Sequence, residues 1–209
     1  MNGKSAPVRR LVPNGKLIPL RRVEGLTGEM SDEALVTACG AGEAAALGAL
    51  FDRYGERLGR FLRRVTSGGD NDVPDLLQAT FFEAQRSARR FRKQSSVSTW
   101  LIGIAANIVR HHIRSEQRRS RAHAAFAISQ QALVVTPGEE AERRQHLTRL
   151  SEGIDALPEE IRVVYVMCEI EDISGREAAR ALRVSEGTIW RRMHAARESL
   201  RRVISGEQT

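Results

Sequence analysis

Asp75-Leu-Leu-Gln-Ala-Thr-Phe-Phe-Glu-Ala84, then Phe91-Arg-Lys-Gln-Ser-Ser-Val-Ser-Thr99, then Trp100-Leu-Ile-Gly-Ile-Ala-Ala-Asn107 decide the reading of the N-terminal half. Leu77, Phe81, Ala84, Ala88 and Phe91 recur at helical spacing and predict one amphipathic helix. A polar loop follows. Leu101, Ile104, Ala105, Ile108 and His112 form the stripe of a second helix, expected to begin at Trp100 and to run into Arg110-His-His-Ile-Arg114. Two such stripes are expected to pack on each other. Between Arg86 and Arg121 stand ten Lys or Arg and a single acid, Glu116. An aromatic loop beside a dense positive face is the chemistry of a single-stranded nucleic-acid surface, where bases stack and phosphates are neutralised.

Upstream, Ser31 is a suitable N-cap, and Asp32 and Glu33 suit the positive end of a helix dipole. The apolar positions from Leu47 to Val65 keep a helical period. Ser67-Gly-Gly-Asp-Asn71 is a turn, after which Asp72 can cap a helix with Pro74 in its first turn. Residues 31–85 hold nine acids against five bases, so this half is acidic before it is basic, which suits two faces for two partners. Residues 1–29 carry Arg9, Arg10, Lys16, Arg21 and Arg22 among three prolines and read as a basic, disordered extension. A phosphate-binding arm, and a translation start at Met30, are the other two readings of that stretch.

The span 115–146 reads as a flexible linker, with Thr136-Pro-Gly-Glu139 as a helix-start signal near its end. A second periodic block starts at Leu147. Pro158-Glu-Glu opens a helix whose expected stripe is Ile161, Val164, Tyr165 and Cys168. Ser174-Gly-Arg-Glu177 is a capping box for a short helix ending at Leu182. After the turn Arg183-Val184, Ser185 can cap a last helix to about Arg202. Short helix, tight turn and longer helix make a helix-turn-helix. Ile189, Met193, Ala196 and Leu200 are its expected buried face. Trp190, Arg191, His194 and Ala195 are the outward face, which in this motif enters the DNA major groove. Residues 176–202 contain eight Arg and three Glu, which fits phosphate contact.

The whole chain of 209 residues is 41% hydrophobic and 28% charged, with a net charge of +7. That composition supports one or two soluble domains with a basic balance. No apolar run is long enough for a membrane span. Cys39 and Cys168 lack metal-ligand spacing and suggest a reduced, cytoplasmic protein. A Gly-rich phosphate loop, a nucleophile elbow, a His-Glu metal motif and a framed carboxylate pair are all missing, so no enzyme, metal or cofactor is expected. The fold class is all-α: two small helical domains, 30–114 and 147–209, joined by the linker. A helix-turn-helix regulator acting alone is the alternative function.

The quoted N-terminal motifs, with Ile104-Ala-Ala-Asn107, resemble the second conserved region of bacterial sigma factors. Leu157-Pro-Glu-Glu-Ile-Arg162, Glu177-Ala-Ala179, Val184-Ser-Glu-Gly-Thr-Ile189 and Ala196-Arg-Glu198 resemble their fourth region. With no motif between, the chain is similar to the short extracytoplasmic-function type of the sigma-70 family. The resemblance implies a promoter-recognition subunit of RNA polymerase, with core polymerase (β′ clamp and β flap), promoter DNA and an anti-sigma factor as partners and no small-molecule substrate. It implies that Asp75, Gln78 and Phe82 bind the polymerase. It assigns Phe91, Arg92, Ser95, Ser96, Thr99 and Asn107 to a flipped base of the minus-ten element, and Arg110 and Arg114 to the adjoining backbone. Ser185, Thr188, Trp190, Arg191, Arg192, His194 and Arg197 fall to the minus-thirty-five element. The chain departs from the family's usual residues at Ala79 (Glu), at Lys93 and Gln94 (Gly and an acid), at Arg183 (Gly), at Trp190 (a basic residue) and at Ala195 (Arg).

Overall fold

The computed structural model describes Arg9–Leu11, Leu17–Pro19 and residues 30–66, 70–122 and 139–205. Eight α-helices make up almost all of it. In the N-terminal half these are α1 (Asp32–Ala41), α2 (Ala44–Val65), α3 (Val73–Ser87) and α4 (Val97–Ala122). In the C-terminal half they are α5 (Glu139–Ala156), α6 (Glu159–Tyr165), α7 (Gly175–Leu182) and α8 (Glu186–Ser205). Within the stretch expected to be disordered, β1 (Arg9–Leu11) pairs antiparallel with β2 (Leu17–Pro19), Arg10 opposite Ile18. The rest of 1–29, the Ser67-Gly-Gly turn and 123–138 lie outside the described residues. So do Thr136, Pro137 and Gly138 of the expected helix-start signal, after which α5 opens at Glu139.

Local chemistry sets the helix ends. Ser31 Oγ accepts from the Ala34 amide at 3.2 Å, and α1 stops at Gly42, whose φ of +99° is the left-handed conformation glycine adopts without strain. Asp72 does not cap α3 through its side chain; the carboxylate instead meets His112 Nε2 at 3.3 Å, since α4 passes close by. α4 starts three residues before Trp100. Ser96 Oγ accepts from the Thr99 amide at 3.0 Å and its hydroxyl donates to Thr99 Oγ1 at 2.9 Å, which makes Ser96 the cap. Ser174 and Glu177 form the expected reciprocal capping box on α7, and Ser185 Oγ accepts from the Thr188 amide at 3.2 Å to start α8.

α1 to α4 pack around Phe61, Leu62, Leu101, Ile102 and Ala105, all at most 1% exposed. The buried stripe of α3 runs through Val73, Leu76, Thr80, Phe81 and Ala84, with Leu77 half-buried at the edge of the core. α4 buries Leu101, Ile102, Ala105, Ala106 and Val109, while the expected Ile104 and Ile108 are only half-buried. On the C-terminal side, Ile189, Met193, Ala196 and Leu200 are buried as expected. α6 differs: Arg162, Val163 and Val164 are buried, and Ile161, Tyr165 and Cys168 are half-buried. One wide turn, Val166–Ile170, follows α6 with Glu171 N–H bonded to the Val166 carbonyl at 3.0 Å.

Two features depart from the expected domain layout. α4 extends to Ala122 and α5 begins at Glu139, so helix reaches into both ends of the span read as linker. The two halves are also not independent: α4 packs on α6 and α7, and α2 packs on α6 and the turn after it. The aperiodic linker implied free tethering, but the contacts are made by α2, α4, α6 and α7 themselves.

Arg183 occupies a left-handed position, φ +54° and ψ +46°, at the end of α7. A side chain there costs about 1 kcal/mol that glycine would avoid. Arg183→Gly is therefore expected to raise the denaturation midpoint of the C-terminal half, by about 1 kcal/mol, and Ser174→Ala to lower it by a similar amount, about 1 kcal/mol. Urea unfolding followed by circular dichroism measures both.

Candidate nucleic-acid interface

Three surfaces carry the residues singled out from the sequence. The first is the outer side of α3. Asp75 is exposed and Gln78 and Phe82 are half-buried, and their spacing puts all three on the helix side away from Leu76, Thr80 and Ala84.

The second surface is the start of α4 and the loop before it. Phe91 and Trp100 stack, ring centroids 5.0 Å apart and planes tilted by 45°. They wall a cavity of about 880 Å³ that Asn107, Arg110, Arg180 and Arg183 also line. An aromatic wall with amide and guanidinium donors beside it can hold an unstacked base by its face and its edge. Arg92, Lys93 and Gln94 are exposed at the loop tip, and Lys93 has φ +56°, a left-handed position where the family usually has glycine. Ser95 is half-buried at the rim. Ser96, exposed, donates to the hydroxyl of Thr99, which is 9% exposed, so both side chains also serve the helix cap.

Asn107 Nδ2 donates to the Gly103 carbonyl at 2.8 Å and to the Ala181 carbonyl, on α7, at 2.9 Å. Arg110 donates to the Leu182 carbonyl at 3.2 Å, and its Nε is buried without a partner. Burial, and then the charge of Arg114, push the Arg110 guanidinium below the usual arginine range. Arg114 donates to Glu160 on α6 at 2.8 Å, and this bond holds the Glu160 carboxyl below the usual carboxylate range. The side chains expected to touch DNA on α4 are thus engaged by the C-terminal half.

The third surface is α8. Trp190 is 63% exposed, the one large apolar side chain so displayed among the described residues. Arg191 and His194 are exposed beside it, and Ala195 is half-buried. Arg191 donates to Thr188 Oγ1 at 3.3 Å, and that hydroxyl also bonds the capping Ser185, so a small polar network fixes the helix start. Arg192 turns inward, 16% exposed at its side chain, and pairs with Glu160, while Arg197 pairs with Glu169. Arg192 steadies α8 against α6, and Arg197, its side chain 56% exposed, ties α8 to the wide turn after α6. Among the described residues no group of His, Cys, Asp or Glu could hold a metal ion.

Two family models match the chain in order: sigma-70 region 2 over residues 50–119 and sigma-70 region 4 over residues 147–200. The first spans α2 to α4 with the aromatic-walled cavity, and the second spans the helix-turn-helix. The chain belongs to the sigma-70 family. Its curated relatives place it in the extracytoplasmic-function branch. It is 28% identical to the ECF RNA polymerase sigma-E factor of Haemophilus influenzae over 184 residues, which cover 84% of this chain and 96% of that one. To the sigma-E factor of Escherichia coli K12 it is 28% identical over 186 residues, 84% and 95% of the two chains. Its fold is similar to that of CnrH solved with the cytosolic domain of CnrY: TM-score 0.59, 24% identity, covering 85% of this chain and 99% of CnrH. It is also similar to that of the sigma factor RpoE solved with the anti-sigma factor NepR from Bartonella quintana: TM-score 0.58, 20% identity, covering 73% and 92%. An ECF sigma factor binds core RNA polymerase and directs promoter recognition, DNA melting and transcription initiation; the region 2 match falls on α2 to α4 and the region 4 match on α5 to α8.

Glu160, Glu171, Gly103 and Ala181 were not singled out by sequence reasoning. One signal was available: Gly103 is a glycine inside a strong helical pattern, which marks close packing more often than chance. The acids carried none, since Glu is common on solvated helix faces.

Proposed function

We propose a division of labour for this sigma factor. Asp75, Gln78 and Phe82 dock on the β′ clamp. Phe91, Arg92, Ser95 and Asn107 hold a flipped minus-ten base, and Arg110 and Arg114 grip the backbone beside it. Trp190, Arg191 and His194 read the minus-thirty-five duplex, with Ser185 and Thr188 presenting the helix start. Arg192 and Arg197 act as positioning residues for α8. The observation that carries this reading is the cavity walled by Phe91 and Trp100 with Asn107 at its side, on the same chain as an outward Trp190–Arg191–His194 face. The β flap is the surface that region 4 rests on. The protein works as a binding subunit of a polymerase in the cytoplasm and not as an enzyme, and no described helix is long and apolar enough to cross a membrane. An anti-sigma protein is its cognate regulator; RpoE, a sigma factor of similar fold, was solved with the anti-sigma factor NepR.

The polymerase surface is tested by Gln78→Ala and Asp75→Ala. Each is expected to weaken core binding several-fold in a pull-down, at about 1 kcal/mol for a lost exposed hydrogen bond, with the melting temperature unchanged. Unaltered core affinity in both variants would remove the assignment.

A further inference from the structure

Trp190 opens the second turn of α8 and is 63% exposed, although tryptophan is on average a well-buried residue. Ile189 and Met193 beside it face the core, and their register turns Trp190, Arg191 and His194 outward on one side of the helix. A long helical side chain leans over the turn before its own Cα. For Trp190 that turn holds Glu186 and Gly187. A Cβ added to Gly187 would find only Ser185 Oγ nearby, at 3.9 Å. Packing therefore does not require glycine there, and glycine weakens a helix. What it provides is open space beside the indole, where a bound molecule can come close to the backbone.

Charge and shape say what that molecule is. Arg183 in the turn before α8, Arg191 and His194 are all exposed, and Glu186 is held by Arg176 at 3.4 Å. A basic face suits a polyanion, and a helix-turn-helix presents this side of its second helix to the DNA major groove. Bases in a duplex are stacked, so a side chain entering the groove meets their edges. The indole carries one donor, no acceptor and no charge. Its N–H can reach N7, which adenine and guanine share, so that bond does not tell the purines apart. The apolar surface of the ring has one matching group on any edge, the C5-methyl of thymine.

We propose that Trp190 reads a thymine C5-methyl and so fixes one T·A pair of the minus-thirty-five element, which rests on the assignment above of the outward α8 face to that element. Arg191, with its forked donors, reads a different pair one residue along the helix. The indole adds sequence preference without neutralising a phosphate, so its share of the binding does not depend on salt. Uracil differs from thymine only by the methyl group. Burying one carbon is worth about fourfold in affinity, and that is the preference for thymine over uracil expected at this pair.

The test uses holoenzyme assembled from the full chain and core polymerase. Its probes are duplex promoters selected from a library randomised in the minus-thirty-five block, with each thymine of that block replaced in turn by deoxyuridine. Competition binding should show one position where the replacement weakens the parent holoenzyme about fourfold. Trp190→Ala should bind the thymine and uracil promoters equally, with the parent's salt slope. Trp190→Arg, which exchanges an apolar ring for a forked donor, should move the preferred base at that position to guanine. Deoxyuridine without effect at every position would overturn the methyl contact, and so would a thymine preference that survives Trp190→Ala. A Trp190→Ala variant that weakens binding to core polymerase alone and keeps the parent's base preferences would also overturn it, because the ring would then serve a protein surface. Loss of minus-thirty-five preference in Arg191→Ala, together with a silent deoxyuridine series, would sink the methyl contact and leave the element assignment standing. No change of minus-thirty-five preference in either Arg191→Ala or Trp190→Ala would remove the assignment itself.

Discussion

Arg191→Ala is expected to change promoter ranking only within the minus-thirty-five element, and Asn107→Ala only within the minus-ten element. Arg191 is exposed on α8 beside Trp190, Asn107 lies on α4, and a side chain that reads one base pair supplies about 1–3 kcal/mol of discrimination.

 The Asn107 amide nitrogen is held by the Gly103 and Ala181 carbonyls. Removing either side chain should relax specificity at one position, roughly 5- to 150-fold for about 1–3 kcal/mol. Arg110→Ala or Arg114→Ala should instead weaken all promoters alike and lower the salt dependence. Transcription from promoters randomised in each element separately reads all four variants. A minus-ten effect of Arg191→Ala, or no change of preference in either variant, would contradict the division of labour.

Phe61→Ala is expected to lower the stability of region 2 by about 3–5 kcal/mol, the cost of deleting a buried ring and leaving its cavity. Phe61 is fully buried, among Leu58, Leu62 and Leu101. A domain of this size has only about 5–15 kcal/mol in total, so the variant should melt far below the parent and lose core binding with it. Calorimetry on the full chain measures this, and a loss under about 1 kcal/mol would mean the site collapses around the deletion.

The helices were legible in the sequence where one face alone is apolar. On α8, Ile189, Met193, Ala196 and Leu200 stand among arginines, and the buried face could be read directly. On α3, Leu76 and Leu77 are adjacent, and period alone does not choose between them; packing against α2 and α4 selects Leu76. On α4, Leu101 to Ala106 are apolar all round, so the stripe could not be phased, and Ile104 and Ile108 turned out to face the cavity side. Ser96 and Thr99 illustrate a second limit. A hydroxyl that caps a helix and one that meets a base look alike in a sequence. The contact between the halves was least legible, because it joins residues such as Arg57 and Glu171, 114 positions apart, through ordinary surface residue types.

The central claim is that this chain gives core RNA polymerase its promoter specificity. Run-off transcription with purified core polymerase on a randomised promoter library tests it most directly. The account predicts transcripts that depend on the protein, start at defined sites and share two sequence blocks, one near minus ten and one near minus thirty-five. Initiation that is unchanged by the protein, or selection of the same DNA with no polymerase present, would contradict it.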